Sequence, residues 1–181
     1  MIYITSDLHF GHNKEFLYKP RGFTNIYDHD ATIIKNWDSL VKADDDVYVL
    51  GDLVLDDLEY GLSCIKQLTG RIHIIIGNHD TDTKVEAYKT LYNVAEVIGY
   101  STILKYNKFR FYLSHYPTKT SNFDEDKPLR NRLINLCGHS HTSNRLADKE
   151  FGLCYHCELD AHDNRPISLD YIIEDLKGAL C

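Results

Sequence analysis

Five short apolar runs in this chain each stop at side chains that bind metals or move protons. Ile2 and Ile4 lead into Asp7 and His9, Val47 to Leu50 stops at Gly51-Asp52, and Ile72 to Ile76 stops at Gly77-Asn78-His79-Asp80. Further on, Phe109 to Leu113 ends at Ser114-His115, and Leu133 to Cys137 ends at Gly138-His139-Ser140-His141. Short apolar runs bounded by turn residues read as strands of buried character. Such strands deliver the polar residues that follow them to a sheet edge, which is where α/β proteins bind ligands. A histidine after any one strand is ordinary. Five such endings in order restrict the chain to a fold in which several strand ends meet at one place.

The intervening segments supply the layers such a fold needs. Asp28 to Lys42 reads as a helix, with Ile33, Ile34, Trp37, Leu40 and Val41 at three- and four-residue spacing. Asp57 to Leu68 reads as a second helix, and a third helical segment lies near Thr83 to Tyr92. STILKYN and FRFYLSH alternate like the arms of a hairpin turning at Asn107-Lys108. Thr118 to Pro128 is polar and reads as a loop. Near the C-terminus Ser168 caps a helix whose stripe is Leu169, Ile172, Ile173 and Leu176, with Gly178 at its end. With 181 residues and no linker or repeat, a single domain spanning residues 1–181 is expected.

Charge and cysteine content exclude several classes of function. Twenty Lys and Arg against 27 Asp and Glu leave a net charge of −7. Duplex nucleic acid is gripped through neutralised phosphates, and no basic cluster is present to do this. No run approaches the roughly 18 apolar residues of a membrane span, and no export signal precedes Ile2, so a cytoplasmic location is expected. Five cysteines, Cys64, Cys137, Cys154, Cys157 and Cys181, are odd in number and scattered, which favours reduced thiols. CYHC (Cys154 to Cys157) has CxxC spacing but no second pair. Its alternating apolar neighbours suggest a strand instead.

Imidazole nitrogens, carboxylate oxygens and an amide oxygen, without thiolates, are the donor set of Mn²⁺, Fe or Zn²⁺ in a reactive rather than a structural site. Two ions about 3.5–4 Å apart can share a carboxylate and a hydroxide and brace both oxygens of an in-line displacement. Two carboxylate ligands do not cancel the charge of two divalent ions, so an acidic protein can still hold phosphate there.

Asp7-Leu8-His9, Gly51-Asp52, Gly77 to Asp80, Ser114-His115 and Gly138 to His141 resemble the five ordered blocks of the calcineurin-like metallophosphoesterases. DLHFGH, Asn36-Trp37 and RPISLD (Arg165 to Asp170) are similar to a small single-domain bacterial and phage branch of that family. The resemblance implies an α/β (α+β) four-layer sandwich, two packed mixed sheets flanked by helices. It also implies two divalent ions, Mn²⁺ first, with Fe, Zn²⁺ or Ni²⁺ as alternatives. Asp7, His9 and His141 would hold one ion, Asn78, His115 and His139 the second, and Asp52 would bridge both. His79 matches the family's catalytic histidine, with Asp80 to orient it. The short stretch between Asn78 and His115 leaves no room for a cap, so an open site is expected.

The activity implied is hydrolysis of small phosphodiesters, with monoesters as a further class. The alternatives are a noncatalytic metal-binding module of the same fold and a nuclease acting on short oligonucleotides. His12 and Arg21, in the loop after the first strand, are candidates for holding substrate phosphate. His29, His73, His156 and His162 belong to no block and read as surface or packed histidines.

Overall fold

The computed structural model describes residues 1–120, 127–147 and 152–180. Part of the loop expected at Thr118 to Pro128, and Cys181, lie outside the described residues. The chain builds two mixed sheets. The first contains β1 (Ile2–Thr5), β2 (Asp46–Val49), β3 (Arg71–Ile75), β4 (Val94–Gly99) and the two-residue β9 (Ile167–Ser168), in the order β4-β3-β2-β1-β9. Strands β1 to β4 are parallel and β9 is antiparallel to β1. The second contains β5 (Ser101–Tyr106), β6 (Phe109–Ser114), β7 (Leu133–Cys137) and β8 (Cys154–His156), in that order. There β5 and β6 are antiparallel, whereas β6, β7 and β8 run parallel.

Parallel pairing is what gathers the site. The carboxyl ends of β1, β2 and β3 leave the first sheet on one edge, and those of β6 and β7 leave the second sheet together. Ile4, Leu50 and Ile75 from the first sheet pack with Phe111, Leu113, Ile134 and Leu136 from the second, forming the interior between the sheets. Helix α5 (Leu169–Leu180) joins that interior through Leu169, Ile172, Ile173 and Leu176. The other face of the first sheet is covered by α2 (Ile26–Asp38), α3 (Leu58–Ile65) and α4 (Asp82–Tyr88). Here Ile33, Trp37, Ile65 and Tyr88 pack on Val47, Val49, Ile72 and Ile74.

Local chemistry sets the boundaries. α2 starts two residues before the expected Asp28 because the cap is Asn25, whose side chain accepts from the Asp28 amide and donates to the Asp28 carboxylate. It stops at Asp38, yet Val41 remains in the core from beyond the helix end. Asp57 caps α3 rather than opening it, accepting from Tyr60 N, and the helix ends at Ile65, short of the expected Leu68. Asn107 and Lys108 both have left-handed backbone (φ 46° and 69°), the requirement of a two-residue type I′ hairpin turn. Ser168 Oγ accepts from Tyr171 N at the start of α5, but Gly178 does not end that helix, which continues to Leu180. β4 was not anticipated. It pairs with β3 through two register shifts and leaves Ala95 and Glu96 exposed, so its sequence carries neither a clean alternation nor a continuous apolar run. Among the described residues no helix is long and apolar enough to cross a membrane.

Cys154 lies in β8, as its neighbours suggest, and Cys64, Cys137, Cys154 and Cys157 are buried. Burial pushes the Cys157 thiol pKa up, which makes it unreactive. Serine at both Cys154 and Cys157 is therefore expected to leave metal content and turnover near wild type. Two buried hydroxyls in place of thiols should cost at most about 1–3 kcal/mol each in denaturant unfolding. Unfolding with loss of a zinc equivalent would instead indicate a knuckle.

Candidate metal centre

Seven side chains from the five strand endings converge where the two sheets meet. Past the strands, the chain segments after β1 and β2 stay zipped together, with Asp7 N donating to Gly51 O (3.1 Å) and His9 N to Asp52 O (3.0 Å). Asp7, His9, Asp52, His139 and His141 all have left-handed backbone (φ 48–71°), half of the ten non-glycine residues in that region among the described residues. Isolated left-handed residues cost of order 1–3 kcal/mol and cluster at functional sites. The cost here is the turn each strand makes to aim its side chain inward.

The block glycines are close-approach positions. A Cβ on Gly51 would lie 2.6 Å from Gly77 Cα and 2.7 Å from His115 Nδ1, and its φ of +96° disfavours any other residue. A Cβ on Gly77 would collide with the Asp52 carboxylate, and one on Gly138 with Ser6 Oγ and Asp7 Oδ2. These glycines let adjacent strand ends close around the carboxylates.

At one pair within the site, two acceptors face one another without a donor between them. His115 Nδ1 lies 2.8 Å from the Leu50 carbonyl oxygen, which can only accept, so the proton sits on Nδ1 and Nε2 presents a lone pair. That lone pair faces Asn78 Oδ1 at 2.7 Å. His141 Nδ1 is likewise paired with Asp160 Oδ2 (3.1 Å), which turns its Nε2 toward His9 Nε2 at 3.1 Å. Asp7 Oδ1 is buried with no hydrogen-bond partner and lies 3.6 Å from Nε2 of both His9 and His141. Ligand atoms of Asp7, His9 and His141 all lie within 4.8 Å of one another, as do those of Asp7, Asp52 and His115. Asp7 thus belongs to both groups. Asp52 Oδ2 is within 3.5 Å of His115 Nε2 and 3.8 Å of His9 Nε2, between imidazoles of the two sheets. The His139 ring packs edge-on to His115 and to Tyr116, with centroids 5.0 Å and 4.5 Å away, and its backbone N donates to Asp7 Oδ2. Converging lone pairs and an orphaned buried carboxylate oxygen fit divalent cations.

The protonation states fit as well. Burial alone would raise the Asp7 pKa, but the adjacent imidazoles of His9, His115 and His141 hold it well below the usual carboxylate range. Burial lowers the His9 and His139 pKa values, whereas at His141 the Asp160 and Asp7 carboxylates outweigh burial and raise it, so a metal there would displace a proton. An ionised carboxylate among neutral imidazoles is the form in which these groups bind metal. Asp160 supports His141 from behind and is itself clamped by Arg21, whose Nε and Nη2 donate to its two oxygens at 3.1 and 2.7 Å. Such carboxylate–histidine pairs orient the ring, and their loss typically costs about 10–100-fold in metal affinity. Asp160→Asn is therefore expected to weaken one Mn²⁺ equivalent by about that factor in a calorimetric titration and to leave the other near wild type. Unchanged affinity for both would show that Asp160 does not orient His141.

Two sequence expectations need correction. Asp80 does not orient His79. Its Oδ2 accepts from Asp52 N (2.7 Å) and Gly77 N (2.9 Å), and its Oδ1 accepts from Leu53 N (3.3 Å) and Tyr88 OH (2.9 Å). With four donors turned inward, it fixes the Asp52 backbone instead. Arg21 does not reach toward substrate: it is buried, and besides Asp160 its guanidinium donates to Asp7 O (2.9 Å) and His29 Nε2 (3.0 Å). His29, packed as expected, donates its Nδ1–H to Asp30 Oδ1 (2.7 Å). His12 lines the cleft, with Nδ1 held by Asp56 at 2.8 Å. The His79 ring is 44% exposed at the rim, 4.0 Å from Asp52 Oδ2, with its backbone N donating to Asp52 Oδ1 (2.9 Å). Asp160 and Asp56 belong to no block, and sequence reasoning missed both.

A cleft of about 530 Å³ opens over these residues. The family model of the calcineurin-like phosphoesterase superfamily domain matches residues 1–156. An uncharacterized protein of Methanocaldococcus jannaschii is 31% identical over 96% of this chain and 89% of its own length. The crystal structure of a protein of unknown function from Aquifex aeolicus superposes with a TM-score of 0.72 at 28% identity, covering 97% of this chain and 98% of the other. An archaeal phosphodiesterase shares the fold, with a TM-score of 0.51 at 16% identity over 89% of this chain and 86% of its own.

Proposed function

The chain belongs to the calcineurin-like phosphoesterase superfamily, and on that premise we propose that it hydrolyses small phosphodiesters, and monoesters as a further class, with two divalent ions. Asp7, His9 and His141 would hold one ion, Asn78, His115 and His139 the other, and Asp52 both, with Mn²⁺ preferred over Fe, Zn²⁺ or Ni²⁺. The observation that supports this most is the facing of two acceptors, Asn78 and His115, across the strand ends, together with the convergence of His9 and His141 on the orphaned Asp7 oxygen. When bound, such ions supply Lewis acidity to phosphate oxygens and a nucleophile from water at neutral pH.

The protein's own part is to hold the ligands rigid and to manage the leaving group. Leu50 O and Asp160 fix the tautomers of His115 and His141, and Asp80 fixes the backbone of Asp52. His79, at the exposed rim and tethered through its amide to Asp52, is placed to give a proton to the departing oxygen. The test is reconstitution with Mn²⁺, followed by metal analysis and assay on bis(p-nitrophenyl) phosphate. Two equivalents per chain with turnover are expected. Two equivalents without turnover of any ester would leave a noncatalytic metal-binding module.

A further inference from the structure

Among the described residues, the exposed members of the Phe, Trp and Tyr side chains are tyrosines, with the exception of Phe16. A tyrosine keeps a hydroxyl in water, but a phenylalanine that is 73% exposed gains nothing from solvent. Phe16 lies on α1 (Glu15–Tyr18), where Leu17 and Tyr18 are buried against Ile26, so its backbone is anchored while its ring faces out. The ring meets His12 edge-on at 5.5 Å, and His12 in turn lies 6.0 Å from His9. A row of rings therefore leads from the cleft mouth to the metal ligands. Leu17, Pro20 and Leu55 continue the apolar wall of the same cleft.

Among the described residues, none of those lining the cleft is Lys or Arg. Arg21 is used on Asp160 and Asp7, and Lys84 Nζ on the carbonyls of Val54 and His79. A phosphate at the ligand end would lay one substituent along the apolar wall. A run of further phosphates would meet no side-chain cation there, whereas a planar aromatic group would stack.

Resting on the phosphoesterase reading above, we propose that the substrates are phosphodiesters of single negative charge with a planar aromatic group, aryl or nucleobase, on one arm, and that Phe16 determines this specificity. The test is calorimetric binding to the Mn²⁺-loaded protein of three monoanions: the monomethyl esters of methylphosphonic and phenylphosphonic acids and the methyl ester of thymidylate. Base stacking on one aromatic side chain is worth on the order of tenfold in affinity. The aromatic ligands should bind tighter than the methyl one by about that factor in wild type. The ratio should fall to near one in Phe16→Ala and persist in Phe16→Trp. The stronger of the two aromatic ligands identifies an aryl or a nucleoside arm. Equal binding of all three, or a preference that survives Phe16→Ala with metal content unchanged, overturns the proposal. Two bound equivalents with no affinity for any of the three and no turnover would instead remove the phosphoesterase reading itself.

Discussion

Replacing Asp52 by asparagine is expected to lower metal occupancy at both positions and nearly to abolish turnover. The substitution keeps the size of the side chain and the oxygen that accepts from His79 N, so the rim can hold its shape. It removes the negative charge from the atom that lies between His9 and His115, at 3.8 and 3.5 Å. The Asp52 backbone is fixed independently by Asp80, so loss of metal would report on the lost charge rather than on a rearranged loop. Metal stabilisation of transition-state charge is worth several kcal/mol, which sets the expected fall in turnover at roughly 10³-fold. Two equivalents of metal per chain with normal turnover in Asp52→Asn would remove the bridging assignment. Loss of one equivalent alone would transfer the bridge to Asp7, which lies within reach of both groups.

The parts of the site that could be read from the sequence are those in which one local signal marks a residue. Every strand ending sets a metal-type side chain just past an apolar run, and three of the five put a glycine directly before it (Gly51, Gly77 and Gly138), so the seven ligand candidates stand out before any contact is known. Local signals fail where the partner is remote. Arg21 and Asp160 are 139 positions apart, and nothing near either one predicts that a loop arginine is buried behind His141. Asp80 fails for a different reason. The side chain lies beside His79 in sequence, but the turn after β3 carries it inward, where Asp52 N, Gly77 N, Leu53 N and Tyr88 OH meet it. The left-handed backbone at five ligands is likewise invisible, because Asp and His do not announce it as glycine does. Among the elements, the continuous apolar runs of β1, β3 and β7 were legible, whereas β4, half exposed and bulged, and the two-residue β9 were not.

His79→Ala separates chemistry from assembly. The ring touches neither ligand triplet closely: it stands 4.0 Å from Asp52 Oδ2 and 5.8 Å, centroid to centroid, from His9. Its amide, which alanine retains, makes the hydrogen bond to Asp52. Both metal equivalents are therefore expected to remain in the variant. A side chain that stabilises charge on the departing oxygen acts in the transition state and little in the ground state, so kcat should fall more than KM rises. General acids contribute about 10²–10⁴-fold, and that range should appear with alkyl or nucleoside phosphodiesters, whose alkoxide needs a proton to leave. A nitrophenolate departs without one, so the loss on nitrophenyl esters should be much smaller. The Asp80 contacts sharpen the comparison. With no carboxylate orienting it, the ring depends on the substrate for its final position, and Asp80→Asn should act through the Asp52 backbone, reducing metal content and hitting both substrate types alike. Equal losses on the two substrate types in His79→Ala, with both metals in place, would mean that the ring positions the phosphate and is not the acid. Loss of a metal equivalent would make His79 a ligand.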